Sequence, residues 1–222
     1  MSQDAEKEMA AKEAVKLLRN GQIVGLGTGS TAIFAIKAIG ELIKNGLRIQ
    51  AVPTSNQTQM LAERLHIPLL DINLVESIDI TIDGADEFTR DRMLIKGGGG
   101  ALVREKIVAA MTKEEIIIAD PSKQVEVLGK FKVPLAVVPF AASFVLRQLE
   151  TIKGHGQLRR VSGEPFRTDE GNYIIDADFG LITDPEALSD RLNAVEGIVA
   201  HGLFLHLASK VIMGSGNSTV VF

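Results

Sequence analysis

The stretch QIVGLGTGSTAIFAIKAIGELIKNG, residues 22–46, holds one whole α/β unit. QIVGL reads as a short apolar strand, and the glycines at 25, 27 and 29 turn the chain. TAIFAIKAIGELIK is helical, and Asn45-Gly46 closes it in the usual manner of a C-terminal stop.

The same rhythm continues on both sides. Ala5 to Leu18 predict a helix that ends at Asn20-Gly21. Residues 48–55 (RIQAVPTS) predict a strand, and 56–66 (NQTQMLAERLH) a helix with an Asn cap. IPLLDI (67–72), SIDITIDGADE (77–87) and RMLIKGGGG (92–100) read as strands. ALVREKIVAAMT (101–112) follows as a helix, and EEIIIADPSK (114–123) as a sixth strand. Strands that are nearly continuous Val/Ile/Leu runs, alternating with helices, indicate a parallel sheet covered on both faces. After Gly129 the order becomes β-α-β-β-α-β, the split arrangement of ferredoxin-like domains. The tail KVIMGSGNSTVVF, residues 210–222, predicts extra strands returning to the first sheet. The expected architecture is α/β: an open, mostly parallel, Rossmann-like sheet with helices on both faces, over residues 1–130 and 205–222. A smaller ferredoxin-like α+β domain spans 131–204.

Composition narrows the function. With 222 residues, 45% of them hydrophobic, the chain is long enough for a sizeable core. It has no cysteine, which excludes disulfides, thiolate catalysis and zinc–thiolate sites. A net charge of −4 and a pI of about 5.6 argue against a nucleic-acid surface. No apolar run reaches the roughly 18 residues of a membrane span, and the charged N-terminal helix is not a signal peptide. The expectation is a soluble, cytoplasmic protein without nucleic-acid or membrane partners.

Four loops that follow apolar strands could carry chemistry, because ligands of open α/β sheets bind outside the carboxyl ends of the strands. All four are therefore expected at one crevice. GLGTGST (25–31) suits a phosphate: bare backbone, free helix N–H groups and the hydroxyls of Ser30 and Thr31. It lacks the third glycine of a dinucleotide fingerprint and the lysine of a Walker loop. The plainer reading is a glycine turn with a capping hydroxyl. DGADE (83–87) sets three carboxylates within five residues. A solvated turn or helix cap, a pair for proton transfer or sugar hydroxyls, and a magnesium site all fit it. KGGGGALVREK (96–106) places Lys96 at a strand end and Glu105 one turn into a helix, separated by more glycine than a turn needs. A surface lysine and a dipole-stabilised glutamate are its ordinary reading. DPSK (120–123) offers Lys123, which alone reads as a solvated loop residue. Together these residues fit acid–base chemistry on a small anionic sugar.

Four segments, in order and spacing, resemble the ribose-5-phosphate isomerase type A family. They are Gly27-Thr28-Gly29-Ser30-Thr31, Asp83-Gly84-Ala85-Asp86-Glu87, Lys96-Gly97-Gly98-Gly99 running on to Arg104-Glu105-Lys106, and Ser122-Lys123-Gln124. Gly100 departs from the alanine expected in many relatives. The resemblance implies a cofactor-free, metal-free aldose–ketose isomerase of the pentose phosphate pathway, acting as a homodimer on a sugar phosphate. It implies that Glu105 is the base that moves a proton between C1 and C2 through an enediolate. Asp83 would assist ring opening, and Asp86 and Lys96 would hold the reacting oxygens. Thr28, Gly29, Ser30 and Thr31 would contact substrate, with Lys123 and Lys7 as further contacts. Gly84, Ala85, Gly97, Gly98 and Gly99 would line the sugar. A non-catalytic sugar-phosphate sensor is the competing reading on the same scaffold. An amino-sugar-phosphate deaminase would want a histidine near the carboxylates, and none of the four histidines lies in these loops.

Overall fold

The computed structural model describes residues 2–222 and divides the chain into two compact units. The first holds residues up to Ala85, Ile107–Gln124 and His206–Phe222; the second holds Asp86–Lys106 and Val125–Leu205. Asp86–Lys106 thus packs with the second unit, whereas the sequence reading places it in the first domain.

The first unit is built on a six-stranded sheet. Its order is Ser218–Val221, Lys210–Ser215, Thr112–Ala119, Ile78–Gly84, Ile23–Leu26, Gln50–Pro53. All neighbours pair in parallel except the antiparallel hairpin of the last two strands in the chain. Alternate residues such as Ile80 and Ile82, or Ile116 and Ile118, enter one cluster. Helices Gln3–Ala14, Ser30–Lys44 and Asn56–Arg64 supply the rest of it through Ala10, Ala14, Ile36, Ile39 and Ala62. A second cluster joins Val52, Val75 and Ile78 to Val108 of the helix Leu102–Met111. Strand Ile23–Leu26 lies between the strand that follows it in sequence, Gln50–Pro53, and the one after that, Ile78–Gly84. The strand order therefore reverses between Ile23–Leu26 and Ile78–Gly84, and a ligand crevice is expected at their carboxyl ends.

The second unit has a four-stranded antiparallel sheet in the order Ile198–His201, Val133–Val137, Tyr173–Asp178, His155–Leu158. With helices Ala142–Thr151 and Pro185–Asn193 this is the β-α-β-β-α-β arrangement read from the sequence. Val145, Leu149, Leu188 and Leu192 pack on Leu135, Val137, Ile175 and Ala177. The chain then leaves this sheet at Gly202 and enters a three-stranded antiparallel sheet of Leu203–Phe204, Leu94–Ile95 and Glu87–Phe88.

Four sequence expectations are corrected. RMLI does not join the parallel sheet: only Leu94–Ile95 is strand, and it pairs with Phe88 and Phe204 segments in the second unit. IPLLDI contributes a single bridge, Leu69 to Ala51, before a 3-10 turn at Ile72–Leu74, because Pro68 lacks the N–H a strand interior needs. The cap of the third helix is Ser55, whose hydroxyl accepts from Thr58 N, and Asn56 is the first helical residue. The first helix also stops at Ala14, and the expected continuation to Leu18 is a 3-10 turn at Val15–Leu17. Among the described residues no helix is long and apolar enough to cross a membrane.

Candidate active site

In the first unit the strand ends at the reversal point are tied together through Asp83. Its Oδ1 accepts the Thr28 N–H at 3.0 Å and the Gly84 N–H at 2.7 Å. Asp83 is 1% exposed, so the solvated-turn reading of its loop fails. Gly27 is explained by this carboxylate: a Cβ there would lie 2.1 Å from Asp83 Oδ1. Gly29 has φ +109 and caps helix Ser30–Lys44 without any side-chain bond to its first turn. The N-cap residue therefore gives the first amides of that helix no side-chain acceptor. Ser30 is exposed and Thr31 buried at this end.

Sequence reasoning missed a hydroxyl cluster behind the turn. Thr28 Oγ1 lies 2.7 Å from Thr54 Oγ1, 2.9 Å from Ser55 Oγ and 3.2 Å from Thr58 Oγ1. Thr54 and Thr58 in turn donate to the carbonyls of Leu26 (2.9 Å) and Gly27 (2.8 Å). The available signal was the hydroxyl spacing 54, 55, 58 at a strand-to-helix junction. Lys123 sits in the turn Pro121–Lys123, which Asp120 organises by accepting from Ser122 N (3.0 Å), Ser122 Oγ (2.6 Å) and Gln3 Nε2 (3.1 Å). Burial opposes the Asp120 charge. Hydrogen bonds from Ser122 and Gln3, with the charge of Lys123, outweigh it and hold the carboxyl below the usual range. Lys7 is buried in the first helix, 3.7 Å from Asp4.

In the second unit Lys96 and Glu105 meet. Lys96 Nζ is 3.5 Å from Glu105 Oε1, and the two side chains are 2% and 5% exposed. Lys96 follows strand Leu94–Ile95, and Glu105 lies in the first turn of helix Leu102–Met111, where the helix dipole favours its negative charge. Between them Gly97 adopts φ +95, and Gly98 donates its N–H to Asp86 Oδ2 at 2.7 Å. A Cβ on Gly98 would lie 2.4 Å from Asp86 Oδ1. On its other side the Gly98 carbonyl accepts from Arg159 Nη1 at 2.9 Å, and Arg159 is fastened to Asp176. Both backbone polar groups of Gly98, which belong to successive peptide units, are thus fixed. Gly99 is exposed, while Gly84 and Ala85 are half-buried.

The three acids of DGADE therefore separate by role. Asp83 holds the first unit's turn and Asp86 holds the glycine loop. Glu87 accepts from Gly129 N (2.8 Å) and Phe131 N (2.5 Å), which makes it structural. Among the described residues no cluster of three or more His, Asp or Glu could hold a metal ion.

The family model of ribose 5-phosphate isomerase A (phosphoriboisomerase A) matches residues 50–218. Ribose-5-phosphate isomerase A of Sphingopyxis alaskensis is 46% identical over 98% of this chain and 95% of its own length. That of Thermomicrobium roseum is 48% identical over 97% of this chain and 92% of its own. A D-ribose-5-phosphate isomerase solved in complex with phospho-erythronic acid superposes with a TM-score of 0.97. It is 37% identical and covers 100% of this chain and 99% of its own. Ribose 5-phosphate isomerase A of Methanocaldococcus jannaschii gives 0.95 at 38% identity, covering 100% and 99%.

Proposed function

The chain belongs to the ribose 5-phosphate isomerase A family and interconverts ribose 5-phosphate and ribulose 5-phosphate, and we propose that Glu105 is the base that moves the proton. The observation that carries this reading is the buried pair of Lys96 and Glu105 at 3.5 Å. A buried ion pair is poor value as a stabilising device, since desolvation offsets its attraction. At the end of a strand, beside a glycine loop, it suits chemistry.

In the open-chain aldose, the Glu105 carboxylate takes the C2 hydrogen as a proton. The C–H electron pair forms the C1–C2 double bond and drives the carbonyl electrons onto O1. Lys96 stabilises that enediolate oxygen as a preorganised cation in a dry site. The O2 hydroxyl proton passes to O1, O2 becomes the carbonyl, and Glu105 returns its proton to C1. Asp86, held by the Gly98 N–H, keeps the reacting oxygens in register. Asp83 assists opening of the furanose ring. Ser30 and Thr31, at the helix end that no side chain caps, receive the phosphate, with Gly29. Lys7 and Lys123 add positive charge, and Thr28 contacts the sugar. Gly84, Ala85, Gly97 and Gly99 offer backbone to it. The protein works as a cytoplasmic homodimer.

The test is Glu105→Gln, assayed with ribose 5-phosphate in EDTA. Turnover falls roughly 10²–10⁴-fold, the range for a lost general base, while KM stays near the wild-type value. Near-normal turnover would overturn the assignment.

A further inference from the structure

Lys106 follows Glu105 directly, yet it takes no part in the chemistry above. Its Nζ donates to the carbonyls of His201 at 2.6 Å and Leu203 at 2.9 Å, and stands 3.4 Å from His201 Nδ1. Those two carbonyls flank Gly202, whose own carbonyl accepts the Lys96 N–H at 2.9 Å. Successive carbonyls of an extended segment point to opposite edges. Residues 201–203 are therefore gripped on one edge by Lys106 and on the other by the backbone of Lys96. The segment also fits closely, because a Cβ on Gly202 would lie 2.4 Å from the Lys96 carbonyl oxygen.

The next residue, Phe204, is 1% exposed. Its ring centroid is 4.8 Å from Lys106 Nζ and 5.4 Å from Lys96 Nζ, so one aromatic ring serves two cations. A buried ammonium is a costly way to satisfy two carbonyls, and burial pulls the Lys106 pKa down to about 8. A neutral donor would satisfy them at lower cost. What Lys106 provides in addition is a link between the helix carrying Glu105 and the strand pair carrying Lys96.

We propose that Lys106 and Phe204 are positioning residues that set the separation of Lys96 and Glu105. Lys106 anchors the first half of the helix to the 201–203 carbonyls. Phe204 seats the Lys96 ammonium at the height of the Glu105 carboxylate. The proposal rests on the reading of Glu105 as the base.

The experiment compares Lys106→Met, which removes the charge and both donors, with Phe204→Leu, which removes the ring. Both are assayed with ribose 5-phosphate and with its 2-deuterated form, alongside melting temperatures. The expected result is a roughly 10- to 100-fold fall in kcat, the scale of an ångström-sized misplacement, with KM nearly unchanged. The deuterium isotope effect on kcat should rise, because the proton-transfer step alone is slowed. A purely structural role would lower the active fraction and leave the isotope effect where it was. That outcome overturns the proposal, as do normal kcat values or failure of both variants to fold, which would assign the cluster to stability. Glu105→Gln is run in parallel. If it turns over normally, the base assignment fails. If it is inactive while Lys106→Met and Phe204→Leu are normal, only the positioning role fails.

Discussion

Replacing Gly98 by alanine separates catalysis from folding. Gly98 has no positive φ, so alanine brings no backbone strain at this position. The added Cβ would lie 2.4 Å from Asp86 Oδ1, 2.9 Å from its Cγ and 3.0 Å from Oδ2. Ordinary contact begins near 3.4 Å, so the carboxylate must retreat by about 1 Å. That retreat weakens the 2.7 Å bond from Gly98 N. A bond to a charged acceptor is worth about 1.5–3 kcal/mol, so the stability cost stays in that range or below it. The catalytic cost is of similar size in free energy but reads directly as rate, because an ångström-sized misplacement of a reacting group costs about 100-fold, or about 2.7 kcal/mol of barrier, in an enzyme that stays folded. Ketose formation from ribose 5-phosphate gives kcat and KM, and urea unfolding gives stability. A folded Gly98→Ala enzyme with wild-type kcat would refute the claim that Asp86 must stand where the glycine leaves room.

Gly27→Ala should behave in the opposite way. Its Cβ would meet Asp83 Cα, a backbone atom, at 2.5 Å, so the strands must part and little folded protein is expected in a soluble-expression assay. Thr58→Val removes the bond to the Gly27 carbonyl and one partner of Thr28. The expected cost is about 1–3 kcal/mol by urea unfolding, together with a raised KM for ribose 5-phosphate. His201 supplies a pH dependence: burial, then the charge of Lys106, pulls its pKa to about 3 from 6.5. Between those values the unfolded chain binds the proton and the folded chain does not. Stability is therefore lost as pH falls from 6.5 towards 3, by about 5 kcal/mol from this residue at the low end. Urea midpoints at pH 7 and pH 4 should differ less in His201→Gln than in the wild type, and an unchanged difference would contradict the assignment.

The sheet of the first unit could be read from sequence because its strands are buried apolar runs, and Gly27-Thr28 and Asp83 ended them where the strand order reverses. Lys96 and Glu105 could also be found, since nine positions along the chain carry them from a strand end to a helix start. RMLI misled for a physical reason: a short apolar run says nothing about its partner, and Leu94 and Ile95 pair with residues more than a hundred positions away. The hydroxyl cluster of Thr28, Thr54, Ser55 and Thr58 left only the spacing 54, 55, 58 as a signal, because Thr28 joins it only when two strand ends lie side by side. The grip of Lys106 on His201 and Leu203 has no sequence signal at all. A lysine in a helix reads as solvated until the carbonyls it meets are known.

The most direct test of the account follows the bond that Glu105 is held to break. Ribose 5-phosphate deuterated at C2 is mixed with wild type or Glu105→Gln, and loss of the C2–deuterium bond is followed by NMR, wherever the deuteron goes. Wild type should break it at the rate of turnover, and Glu105→Gln should bind the sugar phosphate while breaking it roughly 10²–10⁴ times more slowly. Cleavage at the wild-type rate in Glu105→Gln would contradict the central claim.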